Sequence, residues 1–448
     1  MNARLNIPPF ERLQRLCGAV LRGDRPMHAL FQTLGAQGII LGANLLTGII
    51  TARLLGPVGR GEFAAVSVWP QLLATIAMAG MSSAIVFRMR SAPERAGAVV
   101  GAALLAGAAF GTLATITGVV LLPLLMKQYP PSLVLFAQIC LVSVFVNVTH
   151  MILKQALSGA TQYSRSNFAN VLPQVLYLPA LLLLIPLKAM TARGAVLALL
   201  ISGAVGVACL LPSFLRRVQV RLTGARAEFR PLLHYSSRAW LGELVFTLST
   251  YADRLVLIPL LPPAELGLYA VAFSFSRLVQ LAQPAILSVF FSQISGRAVA
   301  DSKRLHDHAL RALLLALLIG CGLLWITGRP LLAFTFGQEF AAANTIFRLL
   351  ILEASLGVLS QVTVQLFLAC NRPGFISTLQ GAVLALSLTL LMLLVPAYGA
   401  AGAAGALLIS GIVRWLALLG AVRWALRLPL PRLVFNREDL EFMLRRLR

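Results

Sequence analysis

Arg254, Arg277 and Arg414 fall inside long apolar stretches of this sequence. An ionised group at bilayer depth costs at least roughly 2.5–3.5 kcal/mol, so each must meet a partner or a wet cavity. Glu243, Asp253 and Glu353 are similarly placed, and Arg348 sits at the outer part of the Glu353 stretch. Arg277 has Gln280 one turn away, while Gln71 and Asn44 are amides in other apolar stretches. Guanidinium forks hold anions through paired charge-assisted hydrogen bonds, and intramembrane carboxylates can carry a coupling proton or sodium ion. The chemistry on offer is binding and movement of a charged solute, with no catalytic constellation and no metal site. Simpler roles are open beside it: an ion pair or interface snorkelling for Asp253 with Arg254, and charge balance for Glu243 and Glu353.

The elements that carry these residues are apolar. Hydrophobic residues make up 58% of the 448 and charged ones 12%, with a mean hydropathy of +0.85. A soluble domain carries about a quarter charged residues. Windows of roughly 20 apolar residues, the length that crosses a hydrocarbon core, run from 29–52, 63–87, 97–120, 132–153, 167–187, 194–215, 235–261, 266–292, 308–327, 344–369, 374–397 and 400–426. Stretches such as GAVVGAALLAGAAFGTLATITGVV are continuous rather than alternating, which excludes a β-barrel. The expectation is an all-α integral membrane protein of about 12 transmembrane helices.

A net charge of +23 invites a nucleic-acid partner, but the placement of the cations argues for topology instead. With the N-terminus in the cytoplasm, 28 of the 38 Lys and Arg residues fall on that side. Seven fall outside, Arg53, Arg60 and Arg348 among them, and three lie within helices. Both termini are therefore expected in the cytoplasm of a multi-pass inner-membrane protein. Residues 1–28 lack the apolar core of a cleavable signal and hold an amphipathic segment suited to an anionic lipid surface; residues 427–448 form a second basic amphipathic tail. The five cysteines show no metal or disulfide spacing and read as packing residues. Histidines fall mostly at cytoplasmic ends, with His306 and His308 in a solvated basic loop.

The chain also repeats itself. At an offset of 206, LLGPVGRGEFAAVSV from Leu54 aligns with LLPPAELGLYAVAFS from Leu260, with Pro57/Pro263 and Gly61/Gly267 identical. At 208, GAVLALLISG from Gly194 meets GAAGALLISG from Gly402, and at 210 QALSGATQ from Gln155 meets QLFLACNR from Gln365. Since each unit holds an even number of crossings, the repeat is parallel, with a six-helix bundle at 29–215, a basic linker at 216–234 and a second bundle at 235–426. The repeat sets Arg277 opposite Gln71 and Glu243 opposite Gln37, which puts polar groups at equivalent depths in both halves.

The stretch ARLLGPVGRGEFAAVSV, at the end of the first apolar window and into the second, resembles the opening signature of polysaccharide-export flippases (the Wzx type) in the multidrug/oligosaccharidyl-lipid/polysaccharide superfamily, and its counterpart YADRLVLIPLLPPAELGLYAVAFSFSRL resembles their seventh and eighth helices. The resemblance implies an alternating-access transporter, not an enzyme, that flips an undecaprenyl-pyrophosphate-linked oligosaccharide, an O-antigen or exopolysaccharide repeat unit, from the cytoplasmic to the periplasmic leaflet. On that reading Arg277, Arg414, Arg254, Arg348, Gln71, Gln280 and Asn44 meet the cargo, while Glu243, Asp253 and Glu353 are candidates for a coupling ion. No cofactor is implied; membrane lipids, a polysaccharide polymerase and glycosyltransferases are the implied partners, with no nucleic acid. A cation-coupled multidrug antiporter of the same superfamily is the nearest rival, ahead of a glycan polymerase or ligase and a non-transporting scaffold. Cavity charge separates the first two: a cationic lining suits an anionic lipid-linked sugar, an acidic one a cationic drug.

Overall fold

The computed structural model describes residues 26–431 except 219, 222, 281–282, 284–285, 288–289 and 291–298. The two terminal amphipathic segments of the sequence analysis lie outside the described residues. Helices α1 (Pro26–Ala77), α2 (Met81–Ser91), α3 (Ala96–Leu125), α4 (Pro131–Cys140), α5 (Ser143–Gly159), α6 (Tyr163–Leu184) and α7 (Ala192–Val218) carry the first six crossings. The rest run through α8 (Ala225–Leu260), α9 (Pro263–Ser276) with a 3-10 turn at Arg277–Gln280, α10 (Val299–Phe336), α11 (Asn344–Ala369) and α12 (Pro373–Trp424). Both α1 and α12 hold two crossings. The chain reverses within a single residue at Gly56 (φ 63°) and at Gly399 (φ 58°). A positive φ is cheap only for glycine, and Pro57, which lacks an N–H, opens the next helix directly. The gap between the apolar windows at 53–62 is therefore a one-residue break inside helix: Arg60 Nη1 donates to Thr51 Oγ1 at 3.0 Å, a contact that nine residues of straight helix forbid.

In the first bundle α6 packs on α1 and α7, and α3 on α5; in the second α12 packs on α8 and α11, and α11 on α9 and α10. The repeat reaches atomic detail. After α5, Gln162 N–H donates to Leu157 O and Thr161 N–H to Ser158 O; after α11, Arg372 N–H donates to Phe367 O and Asn371 N–H to Leu368 O. This helix-ending pattern needs a left-handed residue, and Thr161 (φ 58°) and Asn371 (φ 55°) supply it 210 positions apart. Likewise Ser202 and Ser410, 208 apart, are both buried and both return a hydrogen bond to the carbonyl four residues earlier.

The two bundles touch at both ends of the molecule. At the end carrying Gly56, here the far end, α1 crosses α9 so closely that a Cβ on Gly61 would overlap the Pro263 carbonyl oxygen, and one on Gly267 would overlap that of Pro57. The repeated sequence thus packs against its own copy. At the opposite, linker end α8 meets α2 and α3. Phe87 stacks on Tyr235 at 4.6 Å, and the buried Glu228 takes Arg88 at 2.5 Å and Arg95 at 3.3 Å.

Burial pushes the Glu228 carboxyl up, but hydrogen bonds and charge from Arg88 and Arg95 outweigh it and hold the pKa below the ordinary value. A lowered folded pKa means the contact is fully present at neutral pH and is lost as pH falls through that lowered value. Glu228→Gln is expected to loosen the linker end by about 2–4 kcal/mol, since two guanidiniums lose their charge partner. Faster backbone hydrogen exchange at residues 225–235 at pH 7 in the variant, matching wild type only in acid, is the expected observation; equal protection at pH 7 would exclude it.

The expected solvated loop at His306 and His308 is instead part of α10. His306 is fully buried, with Nδ1 3.0 Å from Asp307 Oδ1 and Nε2 3.3 Å from Thr363 Oγ1 of α11, and Lys303 pairs with Asp307 at 2.5 Å. The helix simply starts earlier than the apolar window does, because polar residues one turn apart satisfy one another inside it.

Candidate substrate cavity

A cavity of about 740 Å³ lies between the bundles, walled by α1, α5, α6 and α7 on one side and by α8 and α9 on the other. Of the residues proposed from sequence to meet a solute, Asn44, Gln71, Arg254 and Arg277 line it. Arg277 ends α9, sits 4.2 Å above the Phe273 ring and pairs with Glu353 of α11 at 3.1 Å. Arg254, one helical turn from Tyr251 on α8, approaches the Tyr251 ring at 5.6 Å and the same Phe273 ring at 5.3 Å. Two guanidiniums thereby gather at one aromatic ring, which helps to orient both.

The remaining candidates lie elsewhere. Gln280 donates to the Ala354 carbonyl at 3.4 Å, and a Cβ on Gly357 would stand 3.1 Å from Gln280 Nε2 and 3.6 Å from Arg414 Nη2. Gly357 is what lets α9 and α12 bring these side chains together over α11. Arg414 is thus part of a C-terminal cluster with Gln280, Arg277 and Glu353, beside the cavity rather than in its wall. Arg348 bonds the Trp325 carbonyl at 3.1 Å and lies 5.0 Å over its ring, on the outer surface of α10. The carboxylates are all engaged. Glu243 accepts from Gly80 N–H at 2.8 Å and Ser83 Oγ at 2.9 Å, closing the break in crossing 2 at the N-terminus of α2. Asp253 is buried and accepts the Tyr269 hydroxyl at 2.8 Å instead of pairing with Arg254, and Glu353 holds Arg277.

Sequence reasoning missed two cations. Arg60, counted with the outer residues, points into the cavity, where its Nε is buried without a hydrogen-bond partner and its charge faces Tyr177 and Arg254. The signal was there: a proline at position 57 opens a helix, which sets Arg60 one turn inside it. Lys154, counted as cytoplasmic, lines the cavity from α5, donating to Asn170 Oδ1 at 3.4 Å. The wall therefore holds Arg60, Lys154, Arg254 and Arg277, and no Asp or Glu among the described residues.

Two helical bundles related by an internal repeat around a polar cavity, with helices long and apolar enough to cross a bilayer, define a multi-pass membrane protein. The chain belongs to the polysaccharide biosynthesis protein family, whose model matches residues 29–296. No curated protein matches the sequence. Among solved structures the fold is similar to a lipid II flippase MurJ in an inward closed conformation, with a TM-score of 0.73 at 15% identity over 92% of this chain and 90% of that one. An inward-facing multidrug resistance MATE family transporter of the MOP superfamily gives 0.65 at 18% identity over 93% and 98%. A MOP superfamily transporter from Pyrococcus furiosus, described as having a binding pocket of reversed polarity, gives 0.59 at 18% identity over 91% and 97%. The resemblance of the sequence to the polysaccharide-export flippases of this superfamily, and the two-bundle helical architecture expected from the apolar windows and the repeat, both hold.

Proposed function

We propose that this protein is an alternating-access flippase for an undecaprenyl-pyrophosphate-linked oligosaccharide, moving it from the cytoplasmic to the periplasmic leaflet of a bacterial inner membrane with both termini cytoplasmic. The observation that carries the reading is the cavity wall, with four cations from both bundles and no carboxylate among the described residues. Such a wall attracts a diphosphate and repels a cationic drug, so it favours the export reading over the antiporter of the same fold. The family match at residues 29–296 and the flippase neighbour support it as well. Guanidiniums from α1, α8 and α9 would grip the diphosphate, and amides of the first bundle would bind sugar hydroxyls. Arg414, Gln280 and Glu353 would act on the cargo through Arg277. Glu353 is the carboxylate best placed to carry a coupling proton or sodium ion, because it is the one that holds a cavity-wall guanidinium, Arg277. Glu243 and Asp253 would hold helix positions, and a polymerase and glycosyltransferases would supply and receive the cargo.

The test is reconstitution in proteoliposomes with a fluorescent polyprenyl-pyrophosphate-linked oligosaccharide in one leaflet. Protein-dependent transfer to the other leaflet, competed by unlabelled cargo and not by cationic dyes, is the expected result. Competition by cationic dyes alone would transfer the assignment to the antiporter.

A further inference from the structure

The cavity wall is not uniform. All five carboxamides in it, Asn44, Gln71, Asn147, Asn170 and Gln174, come from the first bundle, whereas α8 and α9 contribute guanidiniums and aromatic rings. Asn147, His150 and Lys154 follow one another at helical spacing on α5, and Asn170, Gln174 and Tyr177 do so on the adjacent α6. The two stripes face each other, with Lys154 bonded to Asn170 and His150 Nε2 donating to the Ala169 carbonyl at 2.9 Å. A carboxamide both donates and accepts, as a sugar hydroxyl does, so this strip matches a glycan better than a diphosphate.

Lys154 is the exception in the strip. It is half-buried, its one bond is a long one to an amide oxygen, and it has no carboxylate partner among the described residues. A desolvated ammonium without a counter-ion is unfavourable and is retained where a ligand brings the opposite charge. Helix α6 gives the scale: Tyr177 faces Arg60 and Asn170 faces Lys154, seven residues or about 10 Å apart along the axis. That is longer than a diphosphate and comparable to two linked sugar rings. With a diphosphate held among Arg60, Arg254 and Arg277, Lys154 meets the glycan instead.

We infer that the α5/α6 strip is the subsite that selects the glycan, and that Lys154 selects an acidic sugar, one bearing a carboxylate. This rests on the export reading above. It assigns selectivity to a side chain outside the guanidinium set, so one family of cargo lipids is distinguished by the sugar and not by the shared diphosphate.

The experiment uses the full-length protein in proteoliposomes with two polyprenyl-pyrophosphate-linked disaccharides that differ only in a glucuronic acid or a glucose at the distal position. Wild type is expected to transfer the acidic cargo about tenfold faster or more. Lys154→Met is expected to bring the ratio of the two rates to about one, and Lys154→Arg to keep it severalfold. The ratio is internal to each preparation, so a poorly folded fraction cancels. Equal transfer of both cargos by wild type overturns the subsite alone. An equal loss on both cargos in Lys154→Met also overturns it and assigns Lys154 to the diphosphate. Transfer of neither cargo by wild type overturns the export reading and the subsite together.

Discussion

Arg277→Ala is expected to lower cargo transfer about a hundredfold at matched protein amount. Among the described residues Arg277 is the one side chain that belongs both to the cavity wall and to the C-terminal cluster, pairing with Glu353 at 3.1 Å while facing Phe273. Its removal takes a guanidinium from the cargo and leaves Glu353 without its ion partner. Truncating one member of a desolvated pair costs about 2–5 kcal/mol, and a hundredfold is about 2.7 kcal/mol. Arg277→Lys keeps the charge but loses the fork, and an intermediate loss of about tenfold is expected. Combining Arg277→Ala with Glu353→Gln should recover membrane insertion and thermal stability but not transfer, which separates the two roles. Arg348→Ala, on the outer surface against Trp325, should cost less than about threefold. Transfer by Arg277→Ala within threefold of wild type would end the charged-cavity account.

Gly61→Ala combined with Gly267→Ala is expected to abolish transfer while leaving the protein inserted and folded. Each new methyl group would overlap a backbone carbonyl oxygen of the opposite bundle, and a backbone atom cannot rotate away. The far end can then close only if α1 and α9 separate, so the cycle stalls with that end parted. Spin labels on the far ends of α1 and α9 should report a longer distance in the double variant than in wild type. Gly405→Ala, where an added methyl meets nothing within 4 Å, is the matched control. An unchanged label distance with normal transfer would show that the crossing does not open and close at all.

Much of the architecture was legible in the chain because lipid leaves few choices. Long apolar runs must be helices, and their number follows from bilayer thickness. The repeat was legible for a sharper reason. Pro57/Pro263 and Gly61/Gly267 match because both copies take part in one crossing, and Thr161/Asn371 correspond because both helices end on a left-handed residue. Where the sequence misled, the cause was local. Arg60 and Lys154 were sorted by distance from an apolar window, and such windows end where polarity begins, not where the helix ends. His306 and His308 were misplaced in the same way.

Composition, cation placement and the repeat, taken from the sequence alone, determined a two-bundle membrane protein with charge in its interior. Those properties depend only on the cost of moving backbone and charge into lipid, which each residue carries with it. Which charges share a cavity was decided by the tertiary structure. Arg254 and Arg277 converge on Phe273, Arg60 joins them from the other bundle, Arg414 lies over Gly357 beside the cavity, and Arg348 turns outward. A helical side chain's depth follows from its position in the sequence, but its direction is set by how neighbouring helices rotate and cross. That rotation is fixed by close approaches such as Gly61 with Gly267, which join residues two hundred positions apart.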